Sequence, residues 1–524
     1  MVKILITDDI ADEGVQILKS SGFDVTYKPG LKAPEVLAAI PGQDGLVVRS
    51  GTKVTREIIE AGTSLRAIGR AGIGVDNVHL ETATRRGIVV MNTPFGNVAS
   101  AAEHTFALML ALARNIPRAD AALRQGQWKR NELVGAELEG KTLGIVGLGK
   151  IGGEVACFAK AFHMKVLAYD PYLSRERAAE LGIELTHLDA LLERSDFLTF
   201  HVPLNDKTRN LIGPEQFRKM KRTARLINCA RGGIVDEAAL AEALKSGLIA
   251  GAAVDVFAQE PLDPKSPLIG LPNIVLTPHL GASTEEALLK VSIDIADQFV
   301  RFFKDGTITY AVNAPAAADP TLRPYADLAG SLGALASQLG GSGLKSVEVT
   351  INGGIADHDP KAIIVSALAG VLTPVCGDQV NQVNARLIAQ DRGIAVSDRR
   401  TKDLRTYANL VTVRVDSNDG ACLVAGTLLE GRDPRVVRID DYDVDLHLAE
   451  HLLVMRYPDR PGMVGKYGTV LGRHGINIGG MEVARLSRGG EALVVLTLDD
   501  PATSQVIAEL RQEMQIDRIW AVRI

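Results

Sequence analysis

The sequence predicts an α/β chain of two Rossmann-like parallel-sheet domains, followed by an α+β domain and a small ferredoxin-like domain. Three observations predict it. Short apolar runs alternate with segments of helical spacing through the first 310 residues, as in parallel sheets covered by helices. A G-x-G-x-x-G pattern, Gly147, Gly149 and Gly152, joins an apolar strand to a helix. The pattern then changes character after the proline-rich stretch NAPAAADPTLRP at residues 313–324, which reads as a linker.

In order along the chain, residues 2–6 are the first strand candidate, ending at Asp8 and Asp9. Residues 11–20 have helical spacing, residues 23–27 read as a strand, and residues 46–49 and 67–68 add two more. A second unit opens at Leu143: residues 144–147 run into the glycines, residues 151–162 form a helix, and residues 166–169 form a strand ending at Asp170. Further strands are expected at 197–201, 224–228, 251–254 and 274–277, as in a doubly wound sheet. Residues 285–303 make a long amphipathic helix, whose economical partner is the first unit; that would make the first domain discontinuous. Beyond the linker, strands are expected at 347–352, 410–415 and 421–428. From about residue 452 the order is strand, helix, strand, strand, helix, strand.

Composition narrows the function classes. The 524 residues call for three or four domains, and 46% hydrophobic with 23% charged residues is ordinary for a soluble globular protein. A formal charge of -5 predicts neither a nucleic-acid surface nor a polybasic membrane patch, so an anionic substrate requires a local arginine cluster. Cys157, Cys229, Cys376 and Cys422 have no metal-ligand spacing, no metal is expected, and such sparse usage suits a reducing compartment. The opening MVKILITDD turns acidic at once, unlike a secretory signal, and the apolar helical stretch at 101–113 is broken by Glu103 and His104. A cytoplasmic location is expected, with no membrane partner.

The glycine pattern points to a dinucleotide. Gly147 permits the sharp turn, Gly149 lets a pyrophosphate approach, and Gly152 lets the helix pack on the strand. The helix start offers unpaired N–H groups to the pyrophosphate. Asp170, 18 residues after Gly152, stands at a strand end where it would accept the adenosine ribose hydroxyls and repel a 2'-phosphate, favouring NAD over NADP. The plainer role for Asp170 is a turn or cap residue.

Arg231, Glu260 and His279 each fall just past a strand end of this second unit, where a parallel sheet borders its ligand crevice. Oxidation of a 2-hydroxy acid needs a base for the hydroxyl proton, and an imidazole suits that task. Glu260 would hold the other ring nitrogen of His279, and Arg231 would clamp the carboxylate near the hydroxyl oxygen. Taken singly, each is as readily a surface charge or a satisfied structural histidine. His104 reads as a supporting neighbour within its helix, and His201 as a residue lining the cofactor groove.

The motifs GLGKIG, DPY, HVPL, NCARGGIVDE, DVFAQEP and TPHLGAST, in this order and spacing, resemble the D-isomer-specific 2-hydroxyacid dehydrogenases over residues 1–310. The resemblance implies Arg231, Glu260 and His279 as the catalytic set. It implies NAD held by Gly147, Gly149, Lys150, Ile151, Gly152 and Asp170. Further along, His201, Pro203, Thr208, Cys229 and Ala230 are implied to line the cofactor with Arg231, Asp255, His279 and Gly281. It implies domains at 1–97 plus 285–313 for the substrate and 98–284 for NAD. VVRSGTKVT, GRAGIGVDNV and NTPFGNVAS are similar to members acting on a phosphorylated acid, which implies NAD-dependent oxidation of D-3-phosphoglycerate. Arg49 and Ser50 would meet that substrate with Arg70 nearby, Gly72 and Gly74 would offer N–H groups to its carboxylate, and Asn97 would lie near the interdomain hinge. Two arginines suit a phosphate, where a lactate-type enzyme needs one carboxylate site. Lys129 and Arg130, after Trp128, would either reach a partner subunit's site or remain a solvated pair.

Residues 325–451 resemble an intervening domain and residues 452–524 an ACT domain. The resemblance implies Asp459 and Asn477 as effector positions for L-serine, in a homo-oligomer. Two other readings stand beside this one: a reductase of another small 2-oxo acid (hydroxypyruvate, glyoxylate or 2-oxoglutarate), and a non-enzymatic NADH-sensing regulator.

Overall fold

The computed structural model describes residues 1–315, 321–377, 379–403 and 406–524. Part of the expected linker, residues 316–320, lies outside the described residues; a helix, Arg323–Gly340, begins just beyond with Pro324 in its first turn, where the missing N–H costs nothing.

Five strands, Lys3–Ile6 (β1), Asp24–Tyr27 (β2), Gly45–Val48 (β3), Ala67–Arg70 (β4) and Val89–Asn92 (β5), form a parallel sheet in the order β2-β1-β3-β4-β5. β5 is an addition to the sequence reading. Its residues VVMN are all buried, and a strand covered on both faces shows no alternation to reveal it. Seven strands make the second sheet: Thr142–Val146 (β6), Lys165–Tyr169 (β7), Glu184–Leu185 (β8), Phe197–Phe200 (β9), Arg225–Asn228 (β10), Gly251–Val254 (β11) and Ile274–Leu276 (β12). Its order, β12-β11-β10-β9-β6-β7-β8, reverses between β6 and β9. In an open parallel sheet the carboxyl ends at such a reversal border a crevice. The first sheet has its own reversal between β1 and β3.

Two helices tie the sheets together. Val98–Ala113 lays Ala102, Phe106 and Met109 against Leu143, Ile145 and Phe197 of the second sheet. Glu285–Asp305 returns to the first sheet, burying Ile295, Ala296 and Phe299 among Ile4, Val47, Ala67 and Met91. Its capping is regular: Thr284 accepts from the Ala287 N–H, and Gly306 closes it in the left-handed region.

The third sheet is mixed, in the order Ala395–Thr401 (β14), Ser346–Gly353 (β13), Asn409–Asp416 (β15), Ala421–Leu429 (β16), Asp433–Ile439 (β17) and Tyr442–His447 (β18). The fourth is antiparallel: Ile478–Arg485 (β20), Glu491–Leu498 (β21), His451–Pro458 (β19) and Ile519–Arg523 (β22). Period-two alternation divides β19 between two cores. Leu453 and Met455 face the helices Met463–Arg473 and Ser504–Met514, whereas Leu452 and Val454 join the core of the third sheet. Gln338 donates to the Arg523 carbonyl at 2.8 Å and accepts its N–H at 3.1 Å, capping the edge of β22. Asp440 and Arg456 form an ion pair across the same seam. The last two sheets therefore share a continuous core. They meet the first sheet where Asp391 pairs with Arg85 at 2.7 Å and Asn381 donates to the Gly87 carbonyl at 2.8 Å. No helix among the described residues is long and apolar enough to cross a membrane.

Phe299 lies fully buried over the side-chain-free positions Gly45 and Gly69. Phe299→Ala should destabilise the first sheet's unit by about 3–5 kcal/mol. Urea unfolding followed by hydrogen exchange in β3 and β4 measures this; unchanged protection there would mean the helix does not hold that sheet.

Candidate active site

The carboxyl ends of the first two sheets face a common cleft. One cavity of about 570 Å³ is bordered by Gly74 and Asp76 from one side and by Lys150, Ile151, His201, Pro203, Cys229, Ala230 and Arg231 from the other. A second, also about 570 Å³, is bordered by Ser50, Lys53, Phe257, Glu260 and His279.

The glycine turn after β6 leaves room for a dinucleotide. Gly147 has φ 91°, and a Cβ there would press on the His201 carbonyl. Among the described residues nothing stands over Gly149, and the helix it caps, Lys150–Ala161, has no side-chain cap. An open space over an uncapped helix start fits a pyrophosphate. Asp170 accepts the Leu148 N–H at 2.8 Å and the Tyr172 N–H at 2.9 Å, so it braces the turn from beneath. Lys150 reaches across to the Phe95 ring at 3.3 Å, and burial lowers its pKa. Burial takes His201 down to about 3, leaving a neutral imidazole in the cavity wall. It also pushes the Cys229 thiol up to about 12, with the Asp255 charge adding to the effect, so Cys229 is wall and not nucleophile. Thr208 turns away, bonding the Pro203 carbonyl at 2.6 Å, and does not border the cavity.

The structure brings His279 and Glu260 together: Nδ1 lies 2.8 Å from a Glu260 carboxylate oxygen. Burial pushes the Glu260 carboxyl up, but hydrogen bonds from His279 and the Phe257 N–H outweigh it and the net pKa is lowered. His279 has φ 55°, a left-handed conformation that costs a residue with a Cβ about 1–2 kcal/mol. Asp255 holds it there. Its fully buried carboxylate accepts from Thr277 Oγ1 at 2.6 Å, the Leu280 N–H at 2.7 Å and the Gly281 N–H at 2.9 Å, with His104 at 3.2 Å. Burial alone would raise the Asp255 pKa; those hydrogen bonds bring it below the ordinary value. The Asp255 carbonyl also accepts the His279 N–H at 2.8 Å.

The side of the cleft that carries Arg49, Arg70 and Arg231 is cationic. A Cβ on Gly72, which has φ 146°, would overlap the Arg70 guanidinium, and one on Gly74 would overlap that of Arg231. Burial, aided by the Arg231 and Arg49 charges, lowers Arg70 to about 10. Its Nε is buried with no hydrogen-bond partner among the described residues. Among the described residues neither Arg49 nor Arg70 pairs with a carboxylate; Arg49 donates to the Asp9 carbonyl at 3.3 Å. Asp8 is spent on the loop after β3, accepting from Arg49, Gly51 and Thr52 N–H groups. Asn97 stands at the N-cap position of Val98–Ala113 without a capping side-chain hydrogen bond, and its side-chain oxygen is buried with no partner among the described residues.

Sequence reasoning missed Asp8, Asp76, Lys53 and Thr277. A strand-end aspartate like Asp8 could have been read from the first sheet's pattern. Asp76, beside an expected anion site, offered no such signal, because its partner Arg231 is 155 residues away. In the last unit Asp459 pairs with Arg485 at 3.0 Å and Asn477 donates to Asp499 at 2.8 Å, so the two expected effector positions hold separate partners.

Comparisons with known proteins agree along the whole chain. Residues 106–281 match the D-isomer specific 2-hydroxyacid dehydrogenase NAD binding domain, residues 321–440 the D-3-phosphoglycerate dehydrogenase intervening domain, and residues 451–513 the ACT domain. The chain is 42% identical to a D-3-phosphoglycerate dehydrogenase of Archaeoglobus fulgidus over 97% of both chains, and 40% identical to that of Bacillus subtilis over 97% of both. Some 60% of the chain superposes on all of an Aquifex aeolicus D-lactate dehydrogenase solved with NAD and lactic acid, with a TM-score of 0.54 at 28% identity.

The His279–Glu260 pair carries a pH prediction. Glu260→Gln removes the negative charge that stabilises a cationic imidazole at Nδ1, so more acid is needed before the proton-accepting form is lost. In acid oxidation the acidic limb of the rate profile should therefore move to lower pH; a profile identical to wild type would remove Glu260 from this role.

Proposed function

The chain belongs to the D-3-phosphoglycerate dehydrogenases, and we propose that it oxidises D-3-phosphoglycerate to 3-phosphooxypyruvate with NAD, the first step of the phosphorylated route to L-serine. Beside the full-length likeness, one observation carries the substrate: Arg70 is a largely buried guanidinium that meets no carboxylate among the described residues, beside Arg231 and Arg49. Such an arrangement asks for an anion of more than one charge.

Arg49 and Arg70 hold the phosphate, with Ser50 at the rim. Arg231 and the N–H groups of Gly72 and Gly74 hold the carboxylate, and Asn97 stands at the hinge. The dinucleotide lies along Gly147, Gly149, Ile151 and Gly152, with Asp170 at the ribose. When bound, NAD supplies the hydride acceptor, which no side chain can. His279 takes the hydroxyl proton on Nε2, because Nδ1 is committed to Glu260. The Glu260 carboxylate stabilises the imidazolium so formed, and Arg231 lies against the oxygen that becomes the carbonyl. In reverse, imidazolium His279 returns the proton to that oxygen.

We place the substrate domain at residues 1–97 plus 285–313, the NAD domain at 98–284, the intervening domain at 325–451 and the ACT domain at 452–524. The enzyme works in the cytoplasm as a homo-oligomer. Exposed apolar residues support the assembly: Ile116 and Leu123 on the helix Ile116–Arg124 with Trp128 and Val134 after it, and Met481 and Val483 of β20 with Leu486 just beyond it. L-serine is the effector, taken at Asp459 and Asn477 once their present partners yield.

NAD reduction on D-3-phosphoglycerate, D-glycerate and D-2-hydroxyglutarate, each with and without L-serine, tests the proposal. D-Glycerate should lose about 10^4-fold in kcat/KM, because the arginines are left unpaired. Preference for an unphosphorylated acid would sink the substrate assignment, and indifference to serine would sink the effector.

A further inference from the structure

Asp76 is a carboxylate at an anion site, which is a cost unless it performs a task. Its Oδ2 accepts from Arg231 Nε at 2.6 Å, while Arg231 Nη1 donates to the Ala230 carbonyl at 2.6 Å. Two of the five guanidinium N–H groups are thus held by the protein. The three that remain, one on Nη1 and two on Nη2, belong to the tip of the side chain, which lies over Gly74. A Cβ at Gly74 would also press on Asp76 Oδ2 at 2.8 Å, so that glycine makes room for both members of the pair. Asp76 follows β4 of the first sheet and Arg231 follows β10 of the second, so the bond crosses the cleft.

An exposed ion pair ordinarily contributes little to stability, and Asp76 is half exposed at 52%. Its position gives it a different use. Of the three cleft arginines Arg49, Arg70 and Arg231, only Arg231 meets a carboxylate among the described residues. Asp76 therefore both fixes the plane of that guanidinium and subtracts one positive charge from the cluster.

Resting on the assignment of Arg231 above, we propose that Asp76 is a positioning residue for the reaction: it orients Arg231 from the opposite side of the cleft and limits how tightly the cleft holds its anion. The two effects have opposite signatures in the kinetics. Losing orientation lowers kcat, whereas losing the negative charge strengthens ground-state binding of an anion and lowers KM.

The experiment compares Asp76→Ala, Asp76→Asn and Arg231→Ala with wild type on D-3-phosphoglycerate, NADH fluorescence titration reporting that each is folded. Asp76→Ala should lose at least about tenfold in kcat without a rise in KM. Asp76→Asn retains an oxygen that accepts from Nε, so it should keep kcat within about threefold and show a lower KM. A raised KM with unchanged kcat in Asp76→Ala would overturn the proposal, as would equal kcat losses in both Asp76 variants. Arg231→Ala separates the levels: if it loses turnover while Asp76→Ala keeps kcat, the proposal alone falls. If Arg231→Ala keeps its turnover, the site assignment falls and takes the proposal with it.

Discussion

Three guanidinium groups converge on one cleft, and among the described residues a carboxylate meets only one of them. Arg70 bears the consequence most plainly, since burial and its cationic neighbours bring it down to about 10. Concentrated, partly desolvated positive charge is costly when empty and favourable when an anion fills it. The surrounding backbone is adapted to that cost. Gly72 and Gly74 leave the volume that Arg70 and Arg231 occupy, and Asp8 pins the loop that carries Arg49. With a net formal charge of -5, the chain as a whole offers an anion no general attraction, so the local cluster must supply it.

Across the cleft the problem is rigidity. His279 sits in a backbone conformation that residues with side chains avoid, and a fully buried carboxylate, Asp255, holds the loop by four neighbours. Parallel strands make this possible, because all their carboxyl ends emerge on one side and place Asp255, Glu260 and His279 within reach of each other. The C-terminal half is equally continuous. β19 sends alternate side chains into two cores, so the last two sheets are packed through one shared strand. That combined body touches the first sheet's unit at Arg85 and Gly87, a short way along the chain from Asp76.

What could be read in advance follows from which forces are local. The glycine turn, the strand ends carrying Arg231, Glu260 and His279, and the six-element pattern of the last unit are legible because spacing and periodicity record them. The missed pieces are of another kind. β5 is buried on both faces and has no alternation, and β8 is two residues long. Asp76 acquires meaning only from a partner on another sheet. Asp255 stood in a motif associated with the cofactor, yet its hydrogen bonds here run to the His279 loop, a direction that no linear pattern records.

The account rests on the claim that Arg70 recognises the phosphate of the substrate. The most direct measurement is the ratio of kcat/KM for D-3-phosphoglycerate to that for D-glycerate in Arg70→Met, whose side chain fills similar space without the buried charge. Loss of a charged hydrogen-bonding partner should reduce the ratio about 10- to 100-fold, with turnover of D-glycerate retained. A ratio equal to that of wild type would contradict the account.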